Sequence, residues 1–175
     1  MEKKIAVFCS ASETIDQEFN KVAREFVRAA SLRGYTIVSG GTVKGTMREI
    51  ADEVAAVGGR HEGIVPRFME PLVHQSLSSV VWTDTMSERK ELMREGTCAV
   101  VALPGGIGTL DEYIETLTLR KLERYRGHVI AFNYKGFYNP LVSLLDYYVE
   151  TGMLDRKSRE LALFPETVDE LLALL

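Results

Sequence analysis

Short apolar runs rich in β-branched residues alternate with amphipathic stretches along the chain, and this alternation is the strongest constraint on its fold. The runs predict strands at residues 5–8, 35–38, 63–65, 79–82, 99–103 and 129–132. Helices are predicted between Asp16 and Gly34 and at residues 46–57, 86–95, 109–122, 140–150 and 168–175. Strands that alternate with helices form a parallel sheet with helices on both faces. The sequence therefore predicts an α/β fold, and without a linker or repeat we expect one domain over residues 1–175.

Composition and charge narrow the class of protein. The 175 residues are 46% hydrophobic and 26% charged, which suits a single globular domain. A net charge of −4 without a basic cluster argues against a nucleic-acid partner. Cys9 and Cys98 lack CxxC or zinc-site spacing, so we expect reduced thiols and no metal. Apolar runs are too short for a signal peptide or a membrane span, which predicts a cytoplasmic protein without a membrane partner.

A glycine turn joins the fifth predicted strand to a helix that is predicted to begin near Thr109, in the segment AVVALPGGIGTLDE at residues 99–112. Glycines let the main chain approach a ligand closely, and free N–H groups at a helix N-terminus attract phosphate. We therefore expect a phosphate to bind the backbone of Gly105, Gly106, Ile107, Gly108 and Thr109.

Glu112 lies beside this phosphate cradle, and two interpretations of it are open. The spacing Thr109-x-x-Glu112 fits a capping box, in which Thr109 accepts from a backbone N–H and Glu112 reaches back. The same carboxylate could instead carry out acid–base chemistry on a ligand in the cradle. The local sequence does not decide between them.

Other strand ends should meet at the same crevice, because ligands of open parallel sheets bind beyond the carboxyl ends of the strands. The first strand ends at Ser10 and the second at the Gly40-Gly41 turn, so we expect these residues to contact the ligand. Small and hydroxyl-bearing residues are common in any turn, which is the simpler interpretation of each loop taken alone.

Two cations share one face of the helix after the fourth strand. Arg89 and Lys90 fall on the same side as Met86 and Met93 at helical spacing. If that helix begins at the crevice, Arg89 lies near Glu112 and both cations can serve a phosphorylated ligand. The alternative is that they extend to solvent or pair with glutamates on their own helix, Glu88 and Glu91.

Two motifs of nucleotide-binding proteins are matched only in part. GGTVKGT at residues 40–46 has no G-K-[ST], so it is not a P-loop. The glycine turn after residue 104 lacks the third glycine of the dinucleotide fingerprint and follows the wrong strand. We therefore expect no cofactor.

The sequence contains P-G-G-x-G-T-x-x-E at residues 104–112 and M-x-x-R-K-x-x-M at residues 86–93. Together these two motifs resemble the LOG family, whose members are cytokinin-activating nucleoside 5′-monophosphate phosphoribohydrolases. The similarity extends through FCSAS at 8–12, the Gly40-Gly41 turn, GFYNP at 136–140 and VETG at 149–152. Many members were once labelled "possible lysine decarboxylase", a reaction for which the residues offer no pyridoxal-phosphate site.

The resemblance implies a Rossmann-like homodimer that hydrolyses the N-glycosidic bond of a purine ribonucleoside monophosphate, such as AMP or a cytokinin riboside monophosphate. It implies that Arg89 and Glu112 are the catalytic pair and that the glycine turn binds the 5′-phosphate. A wide apolar surface on the helix after that turn is compatible with a dimer, and its residues are Leu110, Tyr113, Ile114, Leu117 and Leu119.

Departures from the family pattern concern the base rather than the phosphate. Thr42 replaces a third glycine, Ser87 stands where a histidine is usual, and TLRK at 118–121 replaces T-W-x-Q. A glutamate expected upstream of Arg89 is either displaced to Glu70 or lost at Pro71. The identity of the base stays open, as does the alternative of a non-catalytic nucleotide-binding or carrier module in which Glu112 only caps its helix.

Overall fold

Seven parallel strands form one sheet in the computed structural model, which describes residues 3–175. Their spatial order is β4-β3-β2-β1-β5-β6-β7. The bounds are β1 Lys3–Phe8, β2 Tyr35–Ser39, β3 His61–Pro66, β4 Ser79–Thr83, β5 Thr97–Ala102, β6 His128–Ala131 and β7 Ala162–Leu163. The chain therefore builds one half of the sheet outward from β1, then returns to its other side with β5.

Helices cover both faces of this sheet, so the predicted Rossmann-like α/β fold is confirmed. Helices α1, α2 and α7 pack on one face, and α3, α4 and α5 pack on the other. The bounds are α1 Gln17–Leu32, α2 Gly45–Ala56, α3 Met86–Arg94, α4 Ile107–Lys121, α5 Asn139–Glu150, α6 Arg156–Arg159 and α7 Val168–Ala173. Two 3₁₀ turns complete the described chain, at Arg67–Leu72 and Tyr134–Gly136.

The two central strands have apolar side chains on both faces, which is why they read as continuous apolar runs. In β1, Ile5 and Val7 point to the α1 face, while Ala6 and Phe8 point to the opposite face. Because Phe8 pairs with residue 102 of β5, the loops that follow β1 and β5 emerge side by side. This junction is the topological switch point, where open α/β sheets bind ligands.

Each of the six predicted strands is present, with boundaries that differ by at most two residues from the pattern. The start of α4 differs from the prediction by two residues: the helix begins at Ile107 rather than Thr109, with Gly106 as its N-cap. On α4, Tyr113 is buried in the core, so the predicted apolar surface is narrower and centres on the exposed Leu110 and Ile114.

Among residues 3–175, no helix has the length and apolar character that crossing a membrane requires.

Candidate active site

A cavity of about 420 Å³ opens at the switch point, between the carboxyl ends of β1 and β5 and the N-terminal halves of α3 and α4. Nine of the eleven residues predicted from the sequence line it. They are Ser10, Gly40, Arg89, Lys90, Gly106, Ile107, Gly108, Thr109 and Glu112. These nine residues come from four separate segments, which converge on one site as the strand-end rule requires.

The other two predicted residues, Gly41 and Gly105, lie behind the cavity wall. Gly41 has φ +66°, and a Cβ there would come within 2.9 Å of the Gly63 backbone. A Cβ on Gly105 would come within 2.2 Å of Oγ1 of Thr109. Both glycines therefore allow close packing of the turns that carry the site, and neither faces the cavity itself.

Arg89 and Glu112 form a buried ion pair, with only 8% and 9% of the respective residues exposed. The Nη1 atom of Arg89 donates to Oε1 of Glu112 at 3.3 Å, and its Nε atom donates to the carbonyl of Ile64 at 3.0 Å. The guanidinium is thereby fixed between the end of β3 and helix α4. The predicted proximity of the two residues is confirmed, and Arg89 does not extend to solvent.

Local capping explains why α3 can present Arg89 inward. The Thr85 hydroxyl accepts from the backbone N–H of Glu88 at 3.1 Å, and the Glu88 carboxylate accepts from the N–H of Asp84 at 2.8 Å. These two hydrogen bonds fix the start of the helix at the cavity. They also engage Glu88, one of the two glutamates that the alternative interpretation assigned to Arg89 and Lys90.

Gly40 makes room for that guanidinium. A Cβ at this position would lie 2.1 Å from Nη2 of Arg89 and 2.9 Å from the sulfur of Met47. The turn is held from behind by Ser39, whose Oγ accepts from the N–H of Gly41 at 3.2 Å and lies 2.7 Å from Nε2 of His61. Sequence reasoning missed Ser39 and His61, because their pairing depends on the register between β2 and β3 rather than on a local motif.

The capping interpretation of Glu112 is wrong. Helix α4 begins two residues before Thr109, so Glu112 lies in its second turn, and in the described part of the chain no side chain caps its N-terminus. The backbone N–H groups of the first turn are consequently available to a ligand, as the cradle requires. The carboxylate instead faces Arg89 across the cavity.

Burial raises the pKa of Glu112 from 4.5 to about 7. Removal of the carboxyl from water is the main cause, and it outweighs the opposing effect of Arg89. Asp111 raises the pKa further, while Lys90 lowers it. Such a carboxyl can accept or donate a proton near neutral pH, which suits a general acid or base.

This pKa predicts a pH-dependent stability difference between the wild type and Glu112→Gln. The folded-state pKa lies above the unfolded value, so the wild type loses stability relative to the variant as pH rises from about 4.5 through about 7. Above that range the penalty is on the order of 1–3 kcal/mol. We expect the variant to melt roughly 3–8 °C higher at pH 8 and at nearly the wild-type temperature at pH 4.5.

Thermal unfolding at the two pH values tests this prediction. Glu91→Gln, at an exposed position of α3, is the matched control and should shift the melting temperature equally at both pH values. A pH-independent effect of Glu112→Gln would contradict the unfavourable ionisation of this carboxyl in the folded protein.

Lys90 lines the cavity, but its ammonium group is already engaged by α4. It pairs with Asp111 at 3.0 Å and also with Glu115, and these hydrogen bonds raise its pKa. Glu115 in turn pairs with Arg94 at 3.1 Å. The four side chains join α3 to α4, so Lys90 orders the cavity wall beside the phosphate cradle.

Sulfur-containing side chains form much of the remaining wall. They are Cys9, Met47, Met69, Met86 and Met93. Burial and the neighbouring Glu112 raise the pKa of Cys9 well above its usual range, so the thiol stays neutral. Met47 and Met69 could not be assigned from local sequence, because they come from α2 and from the 3₁₀ turn after β3. Glu70 is exposed beside Met69 and is absent from the cavity lining.

Comparison with known proteins agrees with the motifs. The family model described as "Possible lysine decarboxylase" matches residues 47–175. The Arabidopsis thaliana protein named cytokinin riboside 5′-monophosphate phosphoribohydrolase LOG2 is 31% identical over 176 residues, which covers 99% of this chain and 82% of the relative. The Mycobacterium tuberculosis protein named cytokinin riboside 5′-monophosphate phosphoribohydrolase is 31% identical, with 96% and 90% covered.

Solved structures share the fold at lower sequence identity. The molybdenum cofactor binding protein from Rippkaea orientalis superimposes with a TM-score of 0.76 and 19% identity, over 99% of this chain and 95% of the other. The molybdenum cofactor carrier protein from Chlamydomonas reinhardtii gives 0.74 and 15%, with the same coverage. These identities establish likeness of fold alone. Since the family model and the sequence relatives extend over most of its length, the chain belongs to the LOG family, whose model is described as "Possible lysine decarboxylase".

Proposed function

We propose that the chain hydrolyses the N-glycosidic bond of a purine ribonucleoside 5′-monophosphate, releasing the free base and ribose 5-phosphate. The observation that carries the proposal is the buried Arg89–Glu112 pair, which faces the same cavity as the uncapped N-terminus of α4. The backbone N–H groups proposed to hold the phosphate lie about one helical turn from this carboxyl, whose pKa burial raises to about 7. The names of the sequence relatives support the same reaction.

The phosphate is held by the helix N-terminus in this mechanism. Gly106, Ile107, Gly108 and Thr109 present backbone N–H groups to its oxygens, and the helix dipole favours the negative charge. The small residues of the β1 loop, Ser10 among them, leave space for the ribose on the opposite wall. Binding energy from the phosphate then positions the reacting bond against Glu112.

Bond cleavage places positive charge on the ribose, as in other glycoside hydrolyses. The bond between C1′ and the base nitrogen breaks, and its electron pair leaves with the base, which takes up a proton from solvent. A water molecule adds to C1′ and gives its proton to the Glu112 carboxylate, which returns it to solvent and is ready for the next turnover. Arg89 orients that carboxylate and keeps part of its population ionised at neutral pH.

Phosphate dependence is the direct test of this assignment. We expect AMP to be cleaved with a kcat/KM at least about tenfold above that of adenosine, because only AMP engages the α4 cradle. Chromatographic detection of released adenine measures both reactions. Similar turnover of the two substrates would contradict the role of residues 106–109.

A non-catalytic carrier is the second candidate, favoured by the fold shared with proteins named as molybdenum cofactor carrier and binding proteins. A carrier would bind its ligand at the same glycine turn, but the buried carboxyl of Glu112 would have no chemical role in it. Incubation with AMP separates the candidates, because saturable binding without released adenine identifies a carrier. The titration of Glu112 near pH 7 favours the hydrolase.

We also propose that the chain acts in the cytoplasm, on a small-molecule nucleoside monophosphate and without a nucleic-acid or membrane partner, as a homodimer. The family resemblance implies the dimer, and α4 carries an exposed apolar stripe for it. Ile107, Leu110 and Ile114 recur every three or four residues, and Ile107 is 90% exposed.

Light scattering at micromolar concentration tests the dimer. The wild type should have twice the mass of one 19.6 kDa chain, and Ile114→Glu should halve it by placing a charge within the stripe. Ser143→Glu, on an exposed position of α5, is the control and should leave the mass unchanged. A monomeric wild type would contradict the proposal.

A further inference from the structure

The GFYNP motif at residues 136–140 has no part in the reaction described above, yet it is bonded to the strand that ends at the phosphate cradle. Tyr138, with 6% of its surface exposed, lies directly before α5. Its hydroxyl donates to the backbone carbonyl of Leu103 at 2.8 Å. Leu103 precedes the Pro104 turn, so this hydrogen bond joins two loops that are distant in sequence.

The accepting carbonyl lies at the point where sheet hydrogen bonding ends. The N–H of Leu103 donates to the carbonyl of Phe8 at 2.8 Å, and β5 itself ends one residue earlier. Leu103 is fully buried, so its carbonyl needs a protein partner. The Tyr138 hydroxyl is that partner, and it sets the direction in which the backbone leaves the sheet toward Gly105.

Tyr138 is itself held by the loop that follows β6. Its backbone N–H donates to Oδ1 of Asn133 at 2.7 Å. The amide group of Asn133 donates to Oδ1 of Asn139 at 2.9 Å, and the Asn133 N–H donates to the carbonyl of Pro165 at 2.8 Å. These hydrogen bonds fix the backbone of Tyr138, so its hydroxyl is kept in position to donate to the Leu103 carbonyl.

We infer that Tyr138 is a positioning residue for the phosphate cradle, acting from behind through the Leu103 carbonyl. The inference rests on the proposed function, because it assigns the turn after Leu103 to a 5′-phosphate. Tyr138 does not line the cavity, so it acts on binding of the phosphate and leaves the Arg89–Glu112 pair in place.

Tyr113 provides a matched control, because it is a fully buried tyrosine in the same apolar cluster as Tyr138. Within residues 3–175, its hydroxyl has no hydrogen-bond partner. Replacement of either tyrosine by phenylalanine removes one buried oxygen, but only Tyr138→Phe removes a hydrogen bond. Any difference between the variants therefore reports on the bond to Leu103.

We expect Tyr138→Phe to raise the KM for AMP and the inhibition constant of ribose 5-phosphate about fivefold, within the range that one hydrogen bond contributes. The kcat should stay within about twofold, and Tyr113→Phe should change none of these constants. Amide exchange in a peptide covering residues 103–110 of the ligand-free protein should accelerate in Tyr138→Phe alone.

The outcomes separate this inference from the proposed function. Unchanged constants and unchanged exchange in Tyr138→Phe overturn the positioning role, even where the wild type cleaves AMP. A lower kcat with an unchanged KM also overturns it, because the substitution then affects the chemical step and not the binding of the phosphate. A wild type that neither binds ribose 5-phosphate nor cleaves AMP overturns the proposed function and, with it, a phosphate-positioning role for Tyr138.

Discussion

Glu112→Gln is expected to lower the turnover of AMP by about 10²- to 10⁴-fold, the usual range for loss of one acid–base group. Glutamine has the same length and can still accept from Nη1 of Arg89, so the cavity keeps its shape. It cannot take a proton from water or offset the charge on the ribose. Nucleotide binding should therefore persist while hydrolysis is lost.

The measurement combines adenine release with calorimetric binding of AMP. Arg89→Ala should also remove activity, and the double variant should be little worse than either single variant, since the two side chains act as a unit. Glu91→Gln should retain wild-type turnover, because Glu91 is exposed and does not line the cavity. Near-normal turnover of Glu112→Gln would make this carboxyl structural and the proposed mechanism wrong.

Gly40→Ala is expected to lower turnover by about 10- to 100-fold, although it adds a single methyl group. Its Cβ would come within 2.1 Å of Nη2 of Arg89, so the guanidinium must move. Movement breaks its hydrogen bonds to the Ile64 carbonyl or to Glu112, and a displacement of about 1 Å from catalytic geometry can cost on the order of 10² in rate.

The same methyl group would also approach the sulfur of Met47 at 2.9 Å, and a double variant separates the two contacts. Met47→Ala, introduced into the Gly40→Ala protein, removes the contact with sulfur and leaves the one with Arg89. We expect the double variant to remain impaired, as measured by adenine release. Recovery of turnover would assign the defect to Met47 and would contradict a role for Gly40 in placing Arg89.

The main strands and helices could be predicted from the sequence because each has a hydrophobic pattern of its own. The buried runs of β1 and β5 identified the strands that flank the site. In contrast, β7 has only Ala162 and Leu163, which are too few residues to produce a periodic pattern. Its place at the sheet edge depends on pairing with β6 and could not be seen locally.

At the candidate site, the sequence predicted which residues lie together better than it predicted their contacts. Arg89 and Glu112 were paired correctly because strand ends converge at a switch point. Capping of Glu112 stayed open as an alternative because Thr109-x-x-Glu112 has the correct spacing, whereas the helix begins at Ile107, two residues earlier than expected. Lys90 was expected to serve the ligand or to pair within its own helix, and its contacts with Asp111 and Glu115 could not be predicted because the approach of α4 is a tertiary feature.

A pKa of Glu112 near 7 would also make binding of the proposed phosphorylated ligand a proton-linked event. An anionic phosphate bound at the start of α4 would disfavour a second negative charge on this buried carboxyl. The complex then holds more protons than the free protein at neutral pH, and the difference is drawn from the buffer on binding. Mildly acidic solution should therefore strengthen the capture of nucleotide while slowing the step in which water loses its proton.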